Sequence, residues 1–295
     1  MKLAAILIDT ARELLYRRTL LVYFGIVTLT LLIFAVALQT DVAGGAIASL
    51  RIFGVQGRSA PGGMSFGGGE GGGAGLSAEA FVRGMQLAVA FVLYPLGILL
   101  SVLATASLVP RMLEKGVIDL LLSKPVSRPA LFLSRYLGGL LVATVNLVYL
   151  VGGLGLILGL KTGIWNGGFL ASGLLMALYF ACLLGFSVLV GVLSRSTTVS
   201  IMVVGVIYFV SLFVRLPHQN ADWPLLITSP AWRLGTQALI EALYHGLPQS
   251  YDFGQMAARL ILRQGGVAWG TAFNSALSGA GALALATFLF ARRDF

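Results

Sequence analysis

Residues 136–160 read YLGGLLVATVNLVYLVGGLGLILGL, a run of 25 positions that contains no charged side chain. A helix needs about 20 such residues to cross the roughly 30 Å of hydrocarbon in a bilayer. The run therefore predicts a membrane-spanning helix. Five more uncharged runs of similar or greater length occur along the chain, at 20–38, 85–109, 162–194, 196–214 and 264–291.

The composition of the whole chain supports the same interpretation. Of its 295 residues, 58% are hydrophobic and only 11% are charged, whereas a soluble domain carries roughly 25% charged residues. This excludes a soluble enzyme, a disordered protein and a nucleic-acid-binding module. The net charge of +9 is typical of basic cytoplasmic loops beside anionic lipid. The single cysteine, Cys182, leaves no basis for a disulfide framework or a cysteine metal site.

The six runs predict an all-α polytopic membrane protein whose residues 1–295 form a single transmembrane domain. The run 162–194 is too long for one span, so we place its helix after a short loop. We expect transmembrane helices at 20–38, 85–109, 136–160, 169–193, 196–214 and 269–290.

The distribution of basic residues sets the predicted orientation. Of the 20 Lys and Arg residues, 12 fall on the side that holds both termini and the loop after the second helix. Because an excess of Lys and Arg marks cytoplasmic loops, we expect both termini in the cytoplasm. The four tryptophans all fall on the other side, as an outer aromatic belt requires. Ala35-Val36-Ala37 resembles a signal-peptidase site, but acidic residues before the run favour a retained first helix.

Three segments are expected outside the hydrocarbon core. Residues 1–18 repeat apolar side chains at helical spacing, which predicts an amphipathic helix in the cytoplasmic interface; the alternative is the frayed start of the first span. Residues 39–80 form an outer loop whose glycine density favours a flexible tether. In the outer segment 215–263 we expect short helices that cap the outer mouth. His218 and His245 lack the short spacing of a metal site, and none is predicted.

The most informative segment is the loop after the second helix. Residues 110–135 read PRMLEKGVIDLLLSKPVSRPALFLSR and combine charges with a compact apolar cluster over 117–122. When a soluble partner docks, apolar anchors supply affinity and charges fix the register, so the loop 110–128 is a candidate docking surface. The alternative is an ordinary cytoplasmic loop whose leucines lie in the lipid interface.

One pattern in this loop resembles a known family. Glu114-x-Gly116-x-x-Asp119-x-Leu121-Leu122-Ser123-x-Pro125-Val126-Ser127-Arg128 is similar to the loop between the second and third helices of ABC-2-type transporter permeases. The resemblance covers essentially the whole chain, through the amphipathic start, the six spans and the terminal Arg292-Arg293-Asp294-Phe295. Within the family, the chain looks most like the branch of permeases for multicopper-enzyme maturation.

The resemblance implies a partner and a set of contact residues. In this family the loop carries a coupling helix that sits in a cleft of a separate ABC ATPase subunit, and that subunit binds ATP and magnesium. The coupling helix would be residues 116–123, and many relatives have threonine at the position of Val117. The residues expected to couple to the ATPase are Glu114, Gly116, Val117, Ile118, Asp119, Leu121, Leu122, Ser123, Pro125, Ser127 and Arg128.

Motifs that are absent from the sequence also favour a membrane subunit that depends on a separate source of energy. It has no Gly-Lys-Ser/Thr loop, so we expect no ATP hydrolysis, no catalytic residue and no cofactor in this chain. The six predicted spans contain no Asp, Glu, Lys, Arg or His, whereas ion-coupled carriers generally need such a residue as a relay. Asn146 and Asn274 are candidates for a translocation path, although interhelical hydrogen bonding is the commoner use of such residues.

The sequence therefore predicts the membrane-spanning permease subunit of an ABC-2 exporter in a bacterial plasma (inner) membrane. The expected partners are an ABC ATPase subunit, membrane lipid and a second permease, identical or similar, but no nucleic acid. Two other functions stay open. One is a stand-alone channel or secondary carrier, and the other is a membrane scaffold that anchors an ATPase without moving a solute.

Overall fold

The computed structural model describes residues 18–43, 46–52, 55–56, 78–114, 116, 127–214 and 230–292. The predicted interfacial helix 1–18 lies outside the described residues except at its last position. The elements, in chain order, are α1 Arg18–Ala37, β1 Leu38–Ala43, β2 Ala46–Ile52, β3 Val55–Gln56, α2 Ala78–Thr105, α3 Leu108–Met112, α4 Arg128–Thr162, α5 Gly167–Ser194, α6 Thr197–Phe213, α7 Pro230–Gly246, α8 Ser250–Leu262 and α9 Trp269–Arg292.

The membrane part of the chain is helical, as predicted. Among the described residues, four stretches are long and apolar enough to cross a membrane: Glu79–Met112, Arg128–Thr162, Gly167–Ser194 and Trp269–Arg292. They coincide with the spans predicted at 85–109, 136–160, 169–193 and 269–290. The segments predicted at 20–38 and 196–214 coincide with shorter apolar helices, Leu21–Ala37 and Thr197–Phe213.

A small sheet follows α1. Strands β1 and β2 pair antiparallel with Leu38 opposite Ile52, and β3 adds a short antiparallel pair on the other edge of β2. The sequence analysis predicts a flexible tether over residues 39–80 and does not predict these strands. The signal was present in the sequence, because Gly-Gly separates β1 from β2 and is typical of a two-residue hairpin turn. The most glycine-rich part of the predicted loop, 62–73, lies outside the described residues.

Helix α5 is the centre of the bundle. Its most apolar stretch is 72% buried, whereas the corresponding share is 44% or less in the other three candidate spans. Helices α4, α6, α8 and α9 make the most extensive contacts with it, and α2 and α3 also pack against it. Fully buried aromatic side chains along its length, among them Phe169, Tyr179 and Phe180, contribute to the main core.

Glycines bring the backbones of α5 and α9 into direct contact. A Cβ atom on Gly185 would lie 2.5 Å from the carbonyl oxygen of Gly279, and one on Gly279 would lie 2.6 Å from the Cα of Cys182. Real Cβ atoms do not approach backbone this closely, so both positions require glycine. Small residues at a helix crossing are the usual way in which helices associate inside a bilayer, where lipid is as apolar as the side chains.

Helix α8 lies against the first half of α5 in an antiparallel arrangement. The side chain of Asn166, which caps the start of α5, donates to the carbonyl of Ile261 at 2.9 Å. A Cβ atom on Gly168 would lie 2.0 Å from the carbonyl oxygen of Leu260. The end of α8 is therefore in backbone contact with the start of α5.

The start of α8 reaches the middle of α5. The side chain of Ser250 is hydrogen-bonded to the hydroxyl of Tyr179 and to that of Ser211, close to the end of α6. Tyr179 lies about 12 residues into α5, or about 18 Å at the helical rise of 1.5 Å per residue. Helix α6 therefore ends about halfway along α5, and α8 continues the same column.

Helix α8 belongs to the segment 215–263, in which we expect short helices that cap the outer mouth. Phe253 and Ile261 are fully buried, and α8 packs inside the bundle. The reason is the length of α6, whose 17 residues cover only about 25 Å. The 28 residues of α5 cover about 42 Å. Helix α8 covers the part of α5 that α6 leaves open.

The α5–α9 crossing leads to a direct test with Gly279→Ala. We expect this variant to unfold more easily by about 1–3 kcal/mol, because the added methyl group meets backbone that cannot move aside. Thermal unfolding of the purified protein in detergent measures the change. Gly281→Ala is the matched control, because a Cβ there meets no atom within 4 Å, and its higher helix propensity should leave stability unchanged or slightly raised. Equal effects of the two substitutions would contradict the proposed crossing.

Candidate functional site

The first predicted coupling residue, Glu114, follows closely after the buried helix α3. After α2 the chain turns into α3, whose residues Leu108, Val109 and Met112 are all buried. Glu114, two positions beyond the helix, is exposed. Gly116 has a φ of +86°, a left-handed conformation that glycine adopts without steric cost. Glu114 therefore lies at the surface of the bundle, two positions after the buried helix α3.

The structure describes only the two ends of the predicted coupling segment. At its far end, Ser127 is exposed and extended, and Arg128 begins α4. Pro129 occupies the first turn of α4, where its missing N–H leaves no helical bond broken. Seven predicted coupling residues lie outside the described part of the chain: Val117, Ile118, Asp119, Leu121, Leu122, Ser123 and Pro125.

Helix α3 is seated against the end of α5. A Cβ atom on Gly191 would lie 3.3 Å from Pro110 and 3.3 Å from Val109, and 3.5 Å from the hydroxyl oxygen of Ser200. Three helices, α3, α5 and α6, therefore meet at Gly191. A displacement of α3 cannot be absorbed here by loose packing, because interiors are packed as densely as organic crystals.

Hydroxyl groups connect the helices in the middle of the bundle. Ser250 of α8 is hydrogen-bonded to Tyr179 of α5 and to Ser211 of α6, and it also donates to the backbone carbonyl of Tyr208 at 3.2 Å. Inside a bilayer, unpaired hydroxyls cost free energy, so pairing them within the chain stabilises this junction. The start of α8 is therefore fixed to both α5 and α6.

A cavity of about 670 Å³ adjoins this junction and lies between α2, α5, α6 and α8. We call it the side cavity. Its volume falls within the range of about 300–1,000 Å³ that is typical of small-molecule sites. Most of its lining is apolar, and none of the described residues that line it carries a charge. The lining residues with polar side chains are Tyr94, Tyr179, Tyr208, Ser250, Tyr251 and Gln255.

The two asparagines proposed for a translocation path have different environments. Asn146 is fully buried in α4, and neither atom of its amide group has a hydrogen-bond partner among the described residues. Asn274 is only partly buried and donates to the backbone carbonyl of His245 at 3.3 Å. The structure does not join the two by a hydrogen bond, and neither lines the side cavity.

The sequence alone did not identify the hydroxyl junction or the side cavity. Tyr179, Ser211 and Ser250 come from three helices, and Ser250 is separated by 71 and 39 positions from its two partners. No local spacing can bring such residues together. One local signal was available, because Pro95 interrupts an otherwise apolar run, and it lies in α2 at the cavity wall.

A bundle of apolar helices, of which four in the described part of the chain are long enough to cross a membrane, defines a polytopic membrane protein. The sequence profile of a family described as ABC-2 family transporter protein matches residues 11–295, and the chain belongs to this family. The matched range includes both the bundle and the loop with the predicted coupling residues. No curated protein matches the chain.

Family membership has direct consequences. ABC-2 permeases are typically non-catalytic membrane subunits, and they generally work with ABC ATPase partners. The prediction of an ABC-2 permease from the loop residues is thereby confirmed, together with a location in a membrane. The branch for multicopper-enzyme maturation stays a prediction.

The unpaired amide of Asn146 leads to a testable expectation. Asn146→Leu replaces it by an apolar side chain of similar volume, so we expect greater resistance to unfolding by about 1–3 kcal/mol, the desolvation cost of an unpaired buried polar group. Thermal unfolding in detergent measures the change. Asn274→Leu is the control and should not stabilise, because that amide is paired and partly exposed. A destabilised Asn146→Leu variant would show that the amide has a partner in the folded protein.

Proposed function

We propose that this chain is the membrane-spanning, non-catalytic subunit of an ATP-driven ABC-2 exporter. Its coupling helix, residues 116–123, docks in a cleft of a separate ABC ATPase subunit, which binds ATP and magnesium. The observation that carries the proposal, beyond family membership, is the position of Glu114 and Gly116 directly after α3. Because α3 is seated on the central helix at Gly191, a force on the docked loop has a rigid route into the bundle.

In this proposal α1 is the first of six spans. Its 20 residues correspond to about 30 Å, the thickness of the hydrocarbon core. Near its start, Tyr23 donates to the carbonyl of Gly97 at 2.9 Å, in the last third of α2. Near its end, the ammonium group of Lys161, at the end of α4, donates to the carbonyl of Ala35. Contacts near both ends of the bundle support a complete crossing.

The fifth span is α6, completed by α8. Helix α6 has 17 residues and α8 has 13, and together they match the 28 residues of α5 against which both pack. The hydrogen bonds of Ser250 join them at the point where one ends and the other begins. We infer that α7 and α8 form a hairpin that enters the membrane from the outside and returns, without crossing it.

The end of the bundle that holds α3 is the cytoplasmic end in this proposal, and both termini lie in the cytoplasm of a bacterial cell. The excess of Lys and Arg on that side supports the orientation. Trp165 and Trp269 support it as well, because they lie at the opposite end and are 58% and 73% exposed, as an outer aromatic belt requires. Residues 1–18 lie in the cytoplasmic interface.

Two such permeases, identical or similar, work as a pair with one ATPase under each. Closure of the ATPases around ATP pushes on the coupling helices, and α3 passes the displacement to α5 and α6. Because α5 carries Tyr179, the displacement reaches the start of α8 and the side cavity. ATP drives the change by binding the closed ATPases more tightly than the open ones, since a ligand shifts an equilibrium only by its differential affinity. Asn146 and Asn274 stay candidates for the path of the solute.

The coupling assignment is tested by Glu114→Lys and Leu121→Asp. We expect each to lower recovery of the ATPase with the tagged permease by about tenfold or more, since the loss of roughly 1.4 kcal/mol at an interface has that effect. Affinity purification from native membranes in mild detergent measures the recovery. Glu79→Lys is the matched control: it reverses an exposed carboxylate at the start of α2, on the proposed outer side, and should leave recovery unchanged, because an exposed ion pair such as Glu79–Arg83 contributes little to stability.

Three results would count against this function in different ways. Normal ATPase recovery with both loop variants would remove the coupling assignment. Transport driven by an ion gradient in liposomes that contain only this protein would favour a channel or secondary carrier. An ATPase that binds the permease but stimulates no transport would favour a membrane scaffold.

A further inference from the structure

We propose that the side cavity is a binding site for an uncharged, largely apolar small molecule with one hydrogen-bonding group, and that this molecule enters from the bilayer. The inference deepens the proposed function and rests on it, because it names the class of substrate that the exporter moves. Binding itself needs no ATPase. The site can therefore be tested on the permease alone.

The electrostatics of the side cavity exclude a charged ligand. Its described lining contains tyrosines, Ser250 and Gln255 but no Lys, Arg, Asp, Glu or His. A charge moved from water into such surroundings loses its hydration and finds no opposite charge, which costs far more than hydroxyl groups return. An apolar ligand loses no favourable hydration when it enters the cavity, and it gains contact with the apolar walls.

The polar atoms of the cavity specify at least one hydrogen bond. The hydroxyls of Tyr94 and Tyr179 are already paired, with Ser172 and Ser250. The hydroxyl of Tyr208, in contrast, makes no hydrogen bond to any residue that the structure describes, and Tyr208 lines the cavity. A ligand that offers an acceptor to this hydroxyl removes the cost of leaving it unpaired in an apolar medium.

A proline supplies a second polar group at the same wall. Pro95 lies inside α2 and lines the cavity, as does Phe91 four positions earlier. Proline has no N–H, so the carbonyl of Phe91 lacks the donor that a helix normally provides. Because Phe91 and Pro95 both line the cavity, this carbonyl adds hydrogen-bonding capacity close to the wall that carries the Tyr208 hydroxyl. An alcohol, which can accept and donate, fits this pair better than an ether or a hydrocarbon.

The route of entry follows from the exposed side chains at the rim. Phe91 is 85% exposed and Phe209 is 51% exposed, and both line the cavity. Phe209 lies close to the end of α6, which is about halfway along α5 and so near the middle of the membrane. Large apolar side chains exposed at that depth face hydrocarbon. The mouth between α2 and α6 therefore opens to the acyl chains rather than to water.

Photo-crosslinking of the purified permease in lipid nanodiscs, without ATPase, tests the site. The probes are hexadecanol and palmitate that carry the same diazirine at the same chain position, so they differ only in the charge of the head group. We expect the alcohol to label peptides from α2, α6 and α8 at least about fivefold more than palmitate does. Mass spectrometry of the digested protein locates the labels.

Two pairs of variants connect the label to the cavity. Gly254→Phe fills it, because Gly254 lines the cavity and a Cβ there meets no atom within 4 Å; Gly281→Phe is the control on α9, with equally open surroundings. Tyr208→Phe removes the unpaired hydroxyl, and Tyr149→Phe is its control on α4, away from the cavity. We expect at least about fivefold less labelling in Gly254→Phe and about threefold to tenfold less in Tyr208→Phe, the effect of one hydrogen bond.

Equal labelling by alcohol and acid, or equal labelling of Gly254→Phe and Gly281→Phe, would overturn the proposal. Labels confined to α1 and α9 would overturn it as well. If the labelling follows expectation but the ATPase complex does not move hexadecanol on addition of ATP, the binding site is supported and the export function fails for this class of molecule. The two failures are therefore distinguishable.

Discussion

Backbone-to-backbone contact along α5 is the constraint on which the rest of the structure depends. Gly168 touches the carbonyl of Leu260 in α8, and Gly185 touches that of Gly279 in α9. Between membrane helices the hydrophobic effect supplies little attraction, so stability depends on close van der Waals contact and on hydrogen bonds. Glycine provides the first at both positions. At these two points the central helix is held by α8 and by α9 with no side chain between the backbones.

The depth at which α6 ends follows from this arrangement and determines the chemistry of the interior. Since α6 covers only half of α5, α8 packs along the other half, and its start brings Ser250 into an apolar region. Its hydroxyl is stable there because Tyr179 and Ser211 pair with it. The same junction leaves a space beside α2 that no side chain fills. A polar junction and an apolar cavity are two results of one short helix.

The sequence predicts those features that bilayer thickness dictates. Spans such as 136–160 are readable because about 20 uncharged residues have few other uses, and the pattern around Glu114 was enough to indicate the family. The insertion of α8 was not readable. Its polar residues, among them Asp252 and Arg259, give it the pattern of a surface helix, while the need for it arises from the length of a different helix. The hydrogen bond between Tyr179 and Ser250 depends on the position of α8, so it could not be predicted from the sequence either.

A helix held in this way is suited to transmit a displacement. Gly191, where α3 meets α5, and Tyr179, where α8 begins, lie about 12 residues apart on one helix, or about 18 Å. Neither contact leaves room for independent movement. Transmission also requires a second arrangement of similar free energy, and the unpaired amide of Asn146 bears on this requirement. Any arrangement that pairs this amide recovers its desolvation cost. The unpaired amide therefore narrows the free-energy gap between the observed packing and any arrangement that pairs it. A ligand then needs a smaller difference in affinity between the two arrangements to shift the population from one to the other.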